Sequence, residues 1–206
     1  KQALSLDDLV STANIGQLLA DDDAIYFTLY NPTDGLNLYR LGHGYWDTSD
    51  ADLIYASSST DLNQGPASRL MQNSTHLFWL QIGDGQNPSS LTQTGKHRLH
   101  SGSCLMSSET DNDLANCSAL QKLLSELPVN SPVTVDDEGN VYFSNTVTDE
   151  NEQDSHTIFK LHTEAQNLTM TDCGSHAQCE SFYESDHEIQ SLSADHDMLY
   201  WALGEA

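Results

Sequence analysis

Leu19-Ala20-Asp21-Asp22-Asp23-Ala24-Ile25-Tyr26-Phe27 is the first of four copies of one phrase, in which an Asp or Asn precedes an aliphatic residue and two aromatic residues. The other copies run from Met71-Gln72-Asn73 to Leu77-Phe78-Trp79, from Val135-Asp136-Asp137 to Val141-Tyr142-Phe143, and from Ser193-Ala194-Asp195 to Leu199-Tyr200-Trp201. Their first aromatic residues are separated by 52, 64 and 58 residues. Self-similarity at such periods is typical of repeat arrays and propellers.

A second phrase, with a basic residue among apolar ones, follows in three copies: Leu38-Tyr39-Arg40-Leu41, Lys96-His97-Arg98-Leu99 and Ile158-Phe159-Lys160-Leu161. Both phrases are short, rich in aromatic and aliphatic residues, and bounded by turn formers, which predicts β-strands. We expect hairpins that join 25–30 to 36–41, 77–82 to 96–100, and 141–147 to 157–161. With one strand before and one after, each copy predicts a four-stranded antiparallel unit.

An Asp or Asn begins the turn before each aromatic strand. Side chains of these types accept hydrogen bonds from backbone N–H groups slightly downstream. This predicts a structural turn role for Asp21, Asn73, Asp137 and Asp195. Helical signal is confined to residues 114–127, where the spacing of the leucines predicts a short helix that ends at Pro128.

The strand phrases resemble the repeats of secreted β-propellers of the YWTD and NHL kind, in which an Asp-containing turn leads into an aromatic strand and a basic strand follows. None of the four copies spells the YWTD tetrapeptide. The resemblance implies an all-β chain with a propeller-like array of about four antiparallel blades, forming one domain over residues 1–206. The fourth copy reaches only Leu203–Ala206, so either residues 3–10 complete the last blade or the array belongs to a larger propeller.

The composition is strongly acidic. The chain has 31 Asp plus Glu against 7 Lys plus Arg, for a net charge of −24. Such a charge repels nucleic acid phosphates and anionic lipid surfaces. No stretch approaches the roughly 20 apolar residues of a membrane-spanning helix. We therefore expect neither nucleic acid binding nor membrane insertion.

Four cysteines form two close pairs in sequence, Cys104 with Cys117 and Cys173 with Cys179. An even count with local pairing suits two disulfide-closed loops in an oxidising compartment, although four cysteines allow three connectivities. Zinc binding is the alternative, but structural zinc sites favour C-x(2–4)-C pairs. The spacing therefore predicts a secreted, periplasmic or cell-surface protein.

The candidate ligand-binding residues are Tyr45 and Trp46, which follow Gly44 outside the strand phrases. Carboxylate density leaves calcium open as a ligand, at Asp47, Asp50 and Asp52, at Asp21–Asp23, or at Asp136–Glu138. None of these segments matches the EF-hand pattern. His43, His100 and His162 follow the basic phrases, and their convergence on a metal is the other alternative.

No G-x-S-x-G elbow, P-loop, HExxH or GxGxxG occurs. We therefore expect a non-enzymatic extracellular binding or assembly module that presents variable loops to a protein or a glycan. The alternative is a polysaccharide hydrolase or lyase with an acidic site at the propeller mouth. An unpaired blade edge would also allow assembly with another chain.

Overall fold

A computed structural model describes residues 14–31, 35–42, 51–56, 67–73, 76–81, 90–95, 121–128, 130–148, 154–162, 165 and 167–204. These residues are mostly β-strand, and none of them lies in an α-helix. The expectation of an all-β chain is confirmed. The strands are β1 Asn14–Ala20, β2 Ala24–Asn31, β3 Gly35–Gly42, β4 Asp52–Ala56, β5 Ala67–Gln72, β6 His76–Gln81, β7 Ser90–Gly95, β8 Gln121–Ser125, β9 Val133–Val135, β10 Val141–Thr148, β11 Asp154–Leu161, β12 Leu168–Thr169, β13 Cys179–Ser185, β14 Ile189–Asp195 and β15 Met198–Leu203, with a 3-10 helix at Met170–Asp172.

The chain separates into two compact units. One comprises Lys1–Leu70, Trp79–Pro88 and Thr94–Leu120, and the other comprises Met71–Phe78, Ser89–Gln93 and Gln121–Ala206. The first unit contains the four-stranded sheet β1-β2-β3-β4. The second contains the four-stranded sheet β13-β11-β10-β9 and the hairpin β14-β15. A further sheet has the order β12-β8-β7-β6-β5, and its strands β5, β6 and β7 include residues of both units.

Both four-stranded sheets are antiparallel meanders. In the first, each strand pairs with the next one in sequence. In the second, β9, β10 and β11 do so, and β13 pairs with β11 after the intervening β12, which pairs with β8. The predicted hairpins β2–β3 and β10–β11 are present. In each, an aromatic pair stacks across the strands: Phe27 on Tyr39 with ring centroids 5.3 Å apart, and Phe143 on Phe159 at 5.5 Å. Such cross-strand pairs stabilise a sheet beyond the area that they bury.

The core of the second unit lies between its sheet and its hairpin. Tyr142 and Ile158 of the sheet pack with Ile189 and Leu192 of β14, and Leu199 of β15 packs against them. The backbone N–H of Ala194 also donates to the Thr134 hydroxyl of β9, at 3.2 Å. Apolar packing and this hydrogen bond together fix the position of the hairpin's turn relative to β9.

The predicted helix at residues 114–127 is wrong in its described part, because residues 121–125 form β8. Leu123 and Leu124 are both fully buried. Leu124 pairs with Leu91 of β7 on one side and, in parallel, with Leu168 of β12 on the other. An interior strand that is covered on both faces is a continuous apolar run, which periodicity alone does not distinguish from a buried helical turn.

The strand after β6 begins earlier than the sequence predicted. β7 starts at Ser90, inside the stretch expected to be a loop, and pairs with β8. The basic phrase Lys96–Leu99 lies outside the described residues.

Candidate binding cleft

The first two Asp/Asn turns share one geometry. The Asp21 carboxylate accepts hydrogen bonds from the N–H groups of Asp23 and Ala24, at 3.0 and 2.9 Å. The Asn73 side-chain oxygen accepts one from the N–H of His76 at 2.7 Å. In both turns the N–H of the Asp or Asn also donates to the carbonyl of the residue that starts the aromatic strand. These side chains thus close the turn into the strand.

In the third turn the acceptor is Asp136, and the neighbouring Asp137 is exposed. The Asp136 carboxylate accepts from the Asn140 backbone at 2.8 Å, from the Asn140 side chain at 2.9 Å and from the Tyr142 hydroxyl at 3.3 Å. The turn is one residue longer than those at Asp21 and Asn73, and Gly139 supplies a positive φ of 90°. This insertion moves the closing acceptor one position ahead of Asp137.

The fourth turn is the two-residue connection between β14 and β15. Asp195 pairs with Met198 across the turn, and its carboxylate lies 2.6 Å from Nδ1 of His196. The hydrogen bond to Asp195 raises the pKa of His196 above its ordinary value, and the charges of Asp195, Asp137 and Asp197 act in the same direction. The His196 ring is thus within electrostatic reach of the three carboxylates of Asp195, Asp137 and Asp197.

Each complete meander places a cation directly across from the tyrosine of its aromatic strand. Tyr26 pairs with Arg40, and Tyr142 pairs with Lys160. Arg40 is buried, whereas the Lys160 ammonium lies 5.9 Å from the centroid of the Tyr142 ring. Burial raises the pKa of Tyr26; the charge of Arg40 lowers it and that of Asp21 raises it.

An open cleft of about 230 Å³ lies between the third and fourth turns. We define this cleft by its lining residues: Asp136, Glu138, Tyr142, Lys160, Phe182, Ala194, His196, Asp197, Met198 and Leu199. The volume is below the roughly 300–1,000 Å³ of pockets for drug-sized ligands. The cleft is therefore of a size for a single side chain or a similarly small group.

The cleft has a polar floor and apolar walls. Burial raises the pKa of Tyr142 to about 12, with the Asp136 charge as the next cause. Phe182 contacts the Tyr142 ring edge-on at 5.4 Å and is still 49% exposed. Met198, at 62% exposure, is the other accessible apolar wall. The cleft thus has large apolar surfaces that nothing in the described part of the chain covers.

Negative charge dominates the cleft. Its carboxylates are Asp136, Glu138 and Asp197, and among the described lining residues Lys160 is the one permanently cationic side chain. Glu138 accepts a hydrogen bond from the Asn140 side chain at 3.3 Å. Within the described residues no Lys or Arg forms an ion pair with these carboxylates. The arrangement can therefore attract a cationic group.

A disulfide joins Cys173 to Cys179, as the sequence predicted. It closes the segment between β12 and β13, which continues into the strand that carries Phe182. Within this segment the Asp172 carboxylate accepts from the N–H and the hydroxyl of Thr169, at 2.7 and 2.8 Å, and these bonds lower its pKa. The disulfide thus anchors the start of β13 beside the cleft.

The other predicted site residues are not among those that the structure describes. Tyr45, Trp46, Cys104 and Cys117 fall outside, as do Asp47, Asp50, His43 and His100. His162 lies at the end of β11, 3.2 Å from the Glu180 carboxylate. Within the described ranges no three His, Cys, Asp or Glu side chains come together as a metal site. No helix found in the described part of the chain is long and apolar enough to cross a membrane.

Sequence reasoning named the phrases that contain Tyr142 and Lys160, and named Glu138 as part of a calcium candidate segment, but did not single out Phe182, Asp197 or Met198. Phe182 was detectable in principle, since it is an aromatic residue within the polar strand Cys179–Ser185. Comparisons with known protein families, curated proteins and solved structures found no match.

Proposed function

We propose that the chain is a non-enzymatic extracellular binding module, built as a propeller-like array of antiparallel blades, whose cleft binds a cationic group of a protein ligand. Two features support the blade arrangement: two four-stranded sheets are antiparallel meanders, and the β14–β15 hairpin corresponds to the first two strands of another such sheet. The Cys173–Cys179 disulfide supports an oxidising, extracellular location. The observation that carries the function is an open acidic cleft with exposed apolar walls.

Electrostatics favours a cation in this cleft. The carboxylates of Asp136, Glu138 and Asp197 surround an opening whose Lys160 ammonium is turned towards the Tyr142 ring. The net charge of −24 adds a long-range attraction for basic partners. An anionic ligand would have to overcome both, so a lysine or arginine side chain is the favoured ligand group.

The apolar walls complement the rest of such a side chain. Lysine and arginine bury their aliphatic stems against apolar surface while their charged ends remain hydrated or paired. Phe182 offers a ring for cation–π contact, and Met198 offers an adaptable apolar surface. Loops and turns held on a rigid scaffold are where recognition commonly occurs.

The test uses methyl-labelled methionine and NMR. The chain has four methionines, and Met198 lines the cleft while Met170 lies outside it. Titration with short Lys- or Arg-containing peptides should shift the Met198 methyl signal and leave Met170 unchanged. The affinity should fall with ionic strength, because exposed charges are screened by salt.

Two variants locate the binding. Glu138→Gln should weaken binding about threefold, as expected for one exposed ion pair, and Phe182→Ala by a similar factor through loss of the cation–π contact. Glu188→Gln is the matched control, because it removes one exposed carboxylate outside the cleft lining. Equal responses to acidic and basic peptides, or specific turnover of a polysaccharide, would contradict the proposal.

A further inference from the structure

The hairpin β14–β15 exposes an aromatic strand that its counterparts bury. Tyr200 is 52% exposed, whereas Tyr26 is 0% and Tyr142 is 8% exposed. Met198 and Leu203 of the same strand are exposed as well. In the described residues β15 pairs only with β14. A strand with one open edge and uncovered apolar side chains is a ready template for another strand.

The other two tyrosine strands show what lies on the equivalent edge. The tyrosines Tyr26, Tyr142 and Tyr200 each follow an aliphatic residue and are the first residue of the aromatic pair in their strand. β2 and β10 each pair on this edge with a strand of the basic phrase, β3 or β11. In both, Arg or Lys is directly opposite the tyrosine, in the pairs Tyr26–Arg40 and Tyr142–Lys160.

The backbone of β15 is in register for such a strand. Asp195 and Met198 close a two-residue turn, and hydrogen-bonded pairs alternate along an antiparallel ladder. The backbone N–H and C=O of Tyr200 therefore form hydrogen bonds with β14, and the N–H groups of Leu199 and Trp201 point to the open edge. An added strand that bonds to these two residues places its intervening side chain opposite Tyr200.

We propose that the open edge of β15 binds a segment of a basic polypeptide as an antiparallel strand. The segment carries the phrase aliphatic–aromatic–Arg/Lys–Leu, with its cation opposite Tyr200. Peptides that add to a sheet edge gain affinity from main-chain hydrogen bonds and specificity from alternate side chains. Here the specific element is the Tyr200 ring, which is 52% exposed.

Charge selects the kind of partner. A second copy of this chain would bring two molecules of net charge −24 together, which long-range repulsion disfavours. A basic segment instead gains the attraction of the whole acidic chain and forms its cation–tyrosine contact at a predetermined position. The inference concerns the strand edge and is independent of the cleft proposal.

The chain supplies its own probe. The peptide GLNLYRLG, which is the sequence of β3, should bind the intact chain in a titration followed by fluorescence anisotropy or NMR. The same peptide with Glu in place of Arg should bind about tenfold more weakly, since it loses the cation–tyrosine contact and brings a negative charge to a strongly acidic chain. Equal binding of the two peptides would overturn the assigned register.

Backbone methylation tests strand addition without altering the protein. In β3 the N–H groups of Tyr39 and Leu41 are expected to face β2, because their partners Phe27 and Ile25 flank the Tyr26–Arg40 pair. N-methylation of the peptide at these two amides should abolish binding, while methylation at the amides equivalent to Leu38 and Arg40 should be tolerated. The reverse pattern would overturn strand addition at this edge.

Two protein variants complete the test. Tyr200→Thr keeps a strand-forming residue at this exposed position. It should reduce the affinity of the Arg peptide to that of the Glu peptide. Phe182→Ala, which alters the cleft, should leave the effect of N-methylation unchanged, because only strand addition depends on the main-chain amides of the peptide. An Arg peptide bound in the cleft instead loses affinity in this variant whichever amide is methylated, so failure of one proposal is distinguishable from failure of the other. A dimer of the chain alone that competes with the peptide would overturn the assignment of the edge to a basic partner.

Discussion

Replacing Asp136 by Ala should destabilise the second unit far more than replacing Asp137 by Ala. The Asp136 carboxylate accepts three hydrogen bonds, two from Asn140 and one from the Tyr142 hydroxyl. Both donor residues are buried, so the substitution removes the acceptor of the Asn140 N–H and of the Tyr142 hydroxyl, while the Asn140 side chain keeps its 3.3 Å contact with Glu138. A lost hydrogen bond of this kind costs about 1–3 kcal/mol. With shared donors and one longer contact, we expect a total loss of about 2–4 kcal/mol.

Asp137→Ala is the matched control, because it removes an exposed carboxylate from the adjacent position of the same turn. Surface substitutions of this kind usually change stability by less than about 0.5 kcal/mol. Urea titrations followed by circular dichroism measure both variants, and hydrogen exchange in residues 133–148 shows whether the loss is local. Equal destabilisation by the two substitutions, or a larger effect at Asp137, would refute the assignment of the closing acceptor to Asp136.

Gly16→Ala should destabilise the first unit by about 1–3 kcal/mol, because the added Cβ would lie 2.8 Å from the Thr28 hydroxyl oxygen. This oxygen also accepts a hydrogen bond from the Gln17 N–H. An unchanged midpoint of urea unfolding would contradict this prediction. The phenol of Tyr142 should ionise near pH 12, measured as the absorbance difference from Tyr142→Phe. Its folded pKa lies above the unfolded value of about 10, so its stabilisation is complete below pH 10 and is lost as the pH rises through 12. Binding of cationic peptides in the cleft should weaken as the pH falls through the raised pKa of His196, and His196→Gln should remove this step; a step that persists in the variant would assign it to another group.

Local sequence signals were sufficient for the strands whose partners are near in sequence. The hairpins β2–β3 and β10–β11 were predictable because aromatic and aliphatic phrases flank polar connections, and both elements of each pair carry the same signal. β8 was not predictable, because its strand state depends on pairing with β7 and with the distant β12. Its leucines fit a buried strand and a helical turn equally well when only the spacing is considered.

The cleft was predictable only in part. The turn before β10 and the basic phrase in β11 provide Asp136, Tyr142 and Lys160, and all three lie in phrases that the sequence analysis identified. The remaining walls come from β13, which pairs with β11, and from the β14–β15 turn, which reaches the cleft because β14 packs against β9 and β10. The sequence analysis placed the closing acceptor of the third turn at Asp137, whereas the structure has it at Asp136, because this turn is one residue longer. Counting residues does not show where in the turn the extra residue lies.

The first and third turns show how one structural arrangement can be closed in one sheet and open in another. In the first, Asp21, Tyr26 and Arg40 are within electrostatic reach of one another, and the tyrosine and the arginine are buried. In the third, Lys160 replaces arginine; its ammonium lies over the Tyr142 ring and forms no ion pair with Asp136. An arginine offers five donors in a fixed plane, whereas a lysine offers a mobile point charge.

This difference bears directly on binding. The hydrogen bonds that hold Asp136 are needed to close the turn, so the carboxylate is fixed before any ligand arrives. A preorganised acceptor avoids the entropy cost of ordering a side chain on binding. Lys160→Arg should therefore strengthen the pairing of residue 160 with the Asp136 carboxylate and weaken the binding of a cationic peptide in the cleft. Lys160→Met should strengthen peptide binding, because it removes the competing positive charge. If both substitutions change peptide affinity in the same direction, competition between Lys160 and the ligand is not what controls the cleft.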